Sequence, residues 1–183
     1  MSVSSLGKLC AFLALAGCSG GSSGGGNLDD PGGTQTPPIT GRQDLPQSGV
    51  ANYLGFMTLN LPVNGSRGEA VGDLSLAVDF GAAQGQVTGT ADGFVLLGDS
   101  LTGRIFVTAG QIIAETSTDP AGFEADLSGS LKGGALPNTL LTGTIDADFE
   151  TTDGSVISGT AFGDLTTTSG IDVFDGTFSA VRP

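Results

Sequence analysis

The stretch 140–150, LLTGTIDADFE, decides the fold class, because apolar and polar residues alternate along it. The apolar residues between Leu141 and Phe149 fall on one face of an extended chain. The other face carries Thr142, Thr144, Asp146, Asp148 and Glu150. Successive side chains of a β-strand point to opposite faces, so this period of two predicts a strand with one buried and one solvated face.

The same alternation recurs along the chain after residue 49. The predicted strands are 50–61, 73–80, 85–95, 100–108, 123–132, 140–150, 155–164 and 174–180. Turn-forming residues separate them, among them Asn64-Gly65, Gly133-Gly134 and Asp153-Gly154. Short strands joined by tight turns predict an all-β protein built from antiparallel hairpins.

Glycines also occur inside most of these strands, for example Gly89, Gly143 and Gly159. Glycine weakens an ordinary strand, but repeated glycines are typical of the sharp bends in a small closed barrel. We therefore predict a small eight-stranded antiparallel up-and-down β-barrel over residues 49–183. Its interior should hold Leu, Val, Ile and Phe side chains, including Phe80, Phe149 and Phe178. A membrane barrel with the reverse facing is disfavoured, because 0 Trp and 1 Tyr cannot form aromatic girdles.

Composition excludes several classes of function. The chain has no His, so a Ser-His-Asp triad and a His-ligated zinc or haem site are ruled out. A formal net charge of −13 disfavours nucleic acid, which binds clustered Lys and Arg. We predict that the protein is not an enzyme, and we assign no catalytic, cofactor-binding or metal-binding residue.

The N-terminal segment has the pattern of a processing signal. Lys8 precedes a short apolar stretch that ends in Leu15-Ala16-Gly17-Cys18. An apolar segment of this length fits a secretory signal better than a transmembrane helix. These four residues resemble the lipobox of bacterial lipoproteins, which implies a signal peptide over 1–17 and an acylated Cys18. An ordinary cleaved signal with a chance cysteine is the alternative.

Residues 18–48 then predict a flexible tether, because they are rich in Gly, Ser and Pro and poor in large apolar residues. The partner expected from this pattern is a membrane, reached through a lipid on Cys18. Ser19 in place of an inner-membrane retention Asp favours, by resemblance, the outer membrane or the cell surface.

The barrel sequence resembles the transferrin-binding protein B-like β-barrel lipoproteins. The segment Gly49–Gly55 is similar to the opening of that domain, 76–81 with 86–90 to one of its hairpins, and 174–182 to its closing strand. The family's segment before the last strand is echoed only loosely by 161–165, and Asp175 replaces a family Gly. The resemblance implies a surface-exposed or outer-membrane binding lipoprotein, with a protein, another solute or an iron- or haem-related molecule as ligand. The chain lacks the handle domains that contact transferrin.

Four sets of residues are candidate sites with simpler explanations. Asp146, Asp148 and Glu150 with Asp153 could gather Ca²⁺, although a solvated strand face is the commoner arrangement. Tyr53 and Met57 could ligate haem iron, although a barrel-end aromatic explains the tyrosine. Gly98-Asp99-Ser100 is a turn without a base partner, and Arg104 and Lys132 suit ion pairs with neighbouring carboxylates.

Two other functions are compatible with the same sequence. One is a structural outer-membrane lipoprotein without a ligand, and the other is a periplasmic β-barrel protease inhibitor. If the barrel binds a partner, the acidic composition favours one with a basic surface. The segments 63–72, 93–100 and 109–122 are the predicted contact loops.

Overall fold

The computed structural model describes residues 44–183. Cys18, the signal peptide and most of the tether therefore lie outside the described residues. In the part that is described, no helix has the length and apolarity that crossing a bilayer requires.

Strands account for most of the described residues. Eight are long and one has two residues. In chain order they are β1 Val50–Val63, β2 Ser66–Asp79, β3 Val87–Leu96, β4 Asp99–Ser100, β5 Thr102–Ile113, β6 Gly122–Gly133, β7 Leu136–Phe149, β8 Val156–Thr167 and β9 Gly170–Val181.

The eight long strands close into an antiparallel barrel, which confirms the predicted fold. Each long strand pairs with the next long strand along the chain, and β3 pairs with both β5 and the short β4. The ring is closed by β1, which pairs with both β2 and β9. Closure leaves no long strand with a free edge, so the hazard of edge-to-edge association is removed.

The interior is packed with the apolar side chains that the alternation placed there. Phe149 and Phe178 are buried, as predicted, and Phe123 lies between them with ring centroids 6.1 and 6.5 Å away. Phe80 is only partly buried, because β2 ends at Asp79 and the ring caps the barrel end beside Phe149.

The two ends of the barrel differ in their connections. At one end, which we call the turn end, hairpins close over two residues each, at 64–65, 97–98, 134–135 and 168–169. At the other, the loop end, the connections are 80–86, 114–121 and 150–155, and β1 begins and β9 ends there. Leu45 packs against the core at this loop end.

Two of the predicted contact loops are wrong. Most of 63–72 belongs to β1 and β2, and most of 93–100 belongs to β3 and β4. The inward positions of early β2 hold Gly68, Ala70 and Gly72, so this half of the strand shows no apolar alternation. In 109–122, β5 continues to Ile113 past a bulge at Ala109, which has a φ of 56°. Only 114–121 is a loop.

Most of the glycines inside the strands occupy positions where neighbouring chains approach closely. A Cβ on Gly159 would lie 2.2 Å from the Asp146 carbonyl oxygen and 2.9 Å from the Phe178 ring. Gly163 repeats this arrangement with the Thr142 carbonyl oxygen and Phe174. Because these two glycines have no side chain, the rings of Phe178 and Phe174 on the neighbouring strand can pack over them. Aromatic side chains cover glycines in curved sheets in the same manner.

Candidate binding surface

The outer face of β6 and β7 carries a dense set of carboxylates. The register places Glu124 directly opposite Asp146, and Asp126 opposite Thr144. Asp148 and Glu150 continue the same line toward the loop end, and all five carboxylate-bearing residues are exposed. We call this surface the acidic face, and its residues are Glu124, Asp126, Asp146, Asp148 and Glu150.

The acidic face is electrostatically unfavourable in the isolated barrel. Like charges directly opposite each other on neighbouring strands are destabilising, and the Glu124–Asp146 pair is of this kind. Partial burial raises the pKa of the Asp148 carboxyl. The negative charges of Asp146, Glu150 and Asp119 raise that pKa further. One strand residue and two loop residues therefore act on the carboxyl of Asp148.

The cations of the barrel do not compensate this surface. Within residues 44–183, the ion pairs are Arg67–Asp175 at 3.4 Å, Arg104–Asp92 at 3.1 Å and Arg182–Asp153 at 3.3 Å. None of them includes a residue of the acidic face. A basic partner would supply the missing countercharge.

A shallow groove crosses the acidic face. It encloses about 360 Å³ and is lined by Glu124, Asp126, Asp146, Thr144, Gln111 and Phe162. Phe162 projects from β8 and is 55% exposed. An exposed ring beside three carboxylates suits the methylenes and cationic head of an Arg or Lys side chain.

The two loops beside the acidic face are held by their own hydrogen bonds. In 114–121, the Asp119 carboxylate accepts from the hydroxyls of Thr116 and Thr118 at 3.1 and 2.8 Å. In 150–155, the Thr151 hydroxyl accepts from the Ser155 amide at 2.8 Å. Glu150 accepts from the Ser158 hydroxyl. Loops fixed in this way lose less conformational freedom when a partner binds.

The carboxylates considered for Ca²⁺ do not converge. Among residues 44–183, no group of three or more potential ligands is arranged to hold a metal ion. Asp153 turns away from β7, because it accepts from the Ser155 amide at 3.0 Å and pairs with Arg182. Hydrogen bonds from Ser155 and Thr151 are the main reason that the pKa of Asp153 is lowered.

Tyr53 and Met57 are both fully buried in the barrel interior. The Tyr53 hydroxyl donates a hydrogen bond of 2.6 Å to the Gly154 carbonyl oxygen. Burial raises the pKa of this phenol, although the charge of Arg182 partly opposes the effect. Tyr53 and Met57 therefore pack in the core, and the Tyr53 hydroxyl links β1 to the loop 150–155 through its hydrogen bond.

The remaining candidates have simple surroundings. Gly98 lies in a tight turn with a φ of 91°, and Asp99-Ser100 form β4. Arg104 pairs with Asp92, as predicted. Lys132 takes part in none of the ion pairs of the described residues, so the predicted pairing is wrong for this side chain. Its main-chain oxygen accepts from Thr102.

Comparison with protein-family models, with curated proteins and with solved structures gave no match for this chain. The resemblance to transferrin-binding protein B-like lipoproteins therefore stays a prediction.

Sequence reasoning singled out one half of the acidic face and missed the other. Asp146, Asp148 and Glu150 were grouped because they share one strand. Glu124 and Asp126 are on the polar face of the preceding run, and a β6–β7 hairpin brings them alongside. The alternation of both predicted strands, 123–132 and 140–150, already places these carboxylates on the polar face. That Phe162 lies beside Thr144 of the groove on the acidic face follows only from the register between β7 and β8.

Proposed function

We propose that the protein is a lipid-anchored bacterial lipoprotein whose barrel is a binding module for a partner with a basic surface. The anchor is Cys18, and the tether, which reaches the barrel where Leu45 packs against its core, holds the barrel away from an outer membrane or cell surface. The contact surface is the acidic face together with the loop 114–121. The concentration of uncompensated carboxylates on β6 and β7 is the observation that supports this binding role.

The binding surface is tested by capture from cell lysate or host serum, with the protein immobilised through its C-terminus. The test variant combines Glu124→Gln with Asp146→Asn. The control combines Glu69→Gln with Asp99→Asn, which changes the net charge equally on exposed residues near the turn end. We expect the test variant to lose the partner, the control to keep it, and added salt to slow association. Equal capture by both variants would contradict the assignment.

The anchor is tested separately by Cys18→Ser. We expect this variant to lose metabolic lipid labelling and to leave the membrane fraction. Protease treatment of intact cells then reports orientation, because it digests a surface-exposed barrel and spares a periplasmic one. Lipid labelling that persists in the Cys18→Ser variant would refute the lipoprotein assignment.

A further inference from the structure

A second groove lies on the other side of the barrel from the acidic face. It encloses about 540 Å³ over β1, β2 and β3, and it is lined by Leu54, Phe56, Asp73, Ser75, Thr90 and Asp92. We call it the β1–β3 groove. Counted around the closed ring, β6 is four strands from β1 and β7 is four strands from β2. The two surfaces are therefore diametrically opposed.

Large apolar side chains border the β1–β3 groove. Phe56 is 63% exposed and Leu54 is 54% exposed, although both lie in the middle of a strand. Val181 pairs with Leu54 on one side, and Phe106 pairs with Thr90 on the other. Val181 and Phe106 are also about half exposed. The floor between the two apolar borders consists of the short side chains of Ser75 and Thr90, which pair with each other.

The charges around this groove suit contact between identical surfaces. Asp73 lies opposite Phe56, is exposed and joins none of the ion pairs of residues 44–183. Arg104 is 54% exposed and has N–H donors left beyond its pairing with Asp92. In a two-fold contact, residue i meets residue j and j meets i, so each Arg104 can face Asp73 of a second copy.

The size of the surface also fits a second copy. The three strands of the groove, with about twelve residues each, a spacing of about 4.8 Å and a rise of about 3.3 Å, cover roughly 570 Å². The bordering strands β9 and β5 extend this surface through Val181 and Phe106. A stable dimer buries about 800 Å² per protomer. Association through this side also keeps the acidic faces on opposite outer sides of the pair. A dimer formed through any surface that includes the acidic face would bring like charges together.

We propose that the β1–β3 groove is the interface of a two-fold symmetric dimer of this chain. Phe56 and Leu54 of each protomer enter the groove of the other and cover Ser75 and Thr90. Both acidic faces then point outward. If these faces bind a partner, the dimer is bivalent, but the dimer itself does not depend on that binding.

Sedimentation analysis of the purified full chain over a range of concentrations tests the proposal. The chain carries Cys10→Ser and Cys18→Ser, so that neither a lipid nor a disulfide contributes to the mass. We expect a reversible dimer. Because the net charges of two acidic chains repel, and exposed ion pairs such as Arg104 with Asp73 contribute little, its dissociation constant should fall as salt is raised. Partner binding at the acidic face has the opposite salt dependence, so failure of one proposal is distinguishable from failure of the other.

The matched variants are Phe56→Asp and Phe162→Asp. Both rings are on outer strand faces, with exposures of 63% and 55%, and each lies opposite an Asp. Phe56→Asp should weaken dimerisation by at least about a hundredfold, because an aromatic anchor counts twice in a symmetric interface. Phe162→Asp should leave it unchanged. Burial raises the pKa of the Tyr53 phenol, so a raised pKa in an ultraviolet absorbance titration shows that each variant is folded.

Three outcomes would overturn the proposal. One is a monomer at all concentrations, which would leave the groove to a different chain. The second is a dimer that Phe56→Asp does not weaken. The third is equal weakening by the two variants.

Discussion

At the scale of single residues, Tyr53 joins packing to a specific polar contact. Its ring is in the core, and its hydroxyl donates to the carbonyl of Gly154, which is itself buried. A buried carbonyl without a partner costs free energy, so this contact fixes the loop 150–155 against β1. The alternation of β1 predicts that Tyr53 faces inward. It cannot predict the acceptor, which is 101 residues away.

Tyr53→Phe should lower the free energy of unfolding by about 1–3 kcal/mol, because the Gly154 carbonyl loses its donor. Urea titration of the variant and the wild type measures this difference.

The wild-type phenol, the sole tyrosine of a chain without Trp, gives a clean ultraviolet signal. We expect it to titrate above its ordinary pKa of about 10 in the folded protein and near it in urea. Since the folded pKa is the higher one, this contribution to stability is present below about pH 10 and is lost as the pH rises further. Titration at the same pH in both states would be inconsistent with the burial of Tyr53.

Asp148 and Asp153 should respond to pH in opposite directions. Burial and neighbouring carboxylates raise the pKa of folded Asp148, so its contribution to stability is present below its unfolded pKa and is lost as the pH rises. Hydrogen bonds lower the pKa of folded Asp153, so its contribution is present above the unfolded pKa and is lost as the pH falls.

We therefore expect Asp148→Asn to stabilise the protein at pH 7 by a few tenths to about 1 kcal/mol, and Asp153→Asn to destabilise it. Both differences should shrink in acid, where the wild-type carboxyls are protonated. Urea titrations at pH 7 and in acid measure this. An Asp148→Asn variant less stable than wild type at pH 7 would show that the acidic face is not under repulsion.

At the scale of strands and turns, the outcome of sequence reasoning depends on the size of inward side chains. The part of β7 from Leu140 to Phe149 was predicted well because its inward positions include Leu, Ile and Phe, whereas the first four residues of the strand were missed. The first half of β2 was missed because its inward positions are Gly and Ala, which leave no hydrophobic signal. The hairpin turn Asn64-Gly65 was predicted correctly, since both residues adopt the positive φ that such a turn requires. Leu97 has a φ of 53° in the equivalent turn and could not be foreseen from residue type.

The acidic face was only half foreseen for a similar reason. One strand shows its own carboxylates, but the pairing of Glu124 with Asp146 depends on the register between two strands. The connection between β6 and β7 has two residues, fewer than the predicted strands leave between them. A bulge near Leu131 and Gly133 also shifts the register between these strands. A one-residue error there would have placed different side chains opposite each other.

Gly159→Ala should destabilise the barrel by more than about 2 kcal/mol. The new Cβ would lie 2.2 Å from the main-chain oxygen of Asp146, and a paired strand cannot move away without loss of its ladder. Gly81→Ala is the matched control, because a Cβ there meets no atom closer than 3.5 Å. Thermal unfolding of both variants measures the difference. If the two substitutions cost the same, close approach does not explain the inward glycines.

At the scale of the whole molecule, closure determines how stability is distributed. In an open sheet the two outermost strands lack a partner on one side and open first. Here β1 and β9 are paired on both sides, with seven partnered positions between them from Leu54–Val181 to Asn60–Asp175. The first and last strands are therefore as integral to the barrel as β6 or β7.

Native-state hydrogen exchange should reflect this. We expect the slowest amides of β1 and β9 to be protected to the same degree as those of β7, with exchange near the limit of global unfolding. The loop 114–121 should exchange earlier, apart from the amides of Thr116, Thr118 and Asp119, which have acceptors within the loop. Rapid exchange confined to β9 would indicate that the ring opens between β1 and β9.

The pairing of β1 with β9 at the loop end means that the order of strands around the barrel has no intrinsic starting point. Val50 begins one of these neighbours and Val181 ends the other, and both positions are at the same end of the molecule. A short linker could join them, and the chain could then be reopened at the turn 168–169. Such a circular permutant would keep every strand pair of the barrel while moving the point of attachment to the opposite end. The acidic face would then be presented in the reverse direction relative to whatever surface holds the protein.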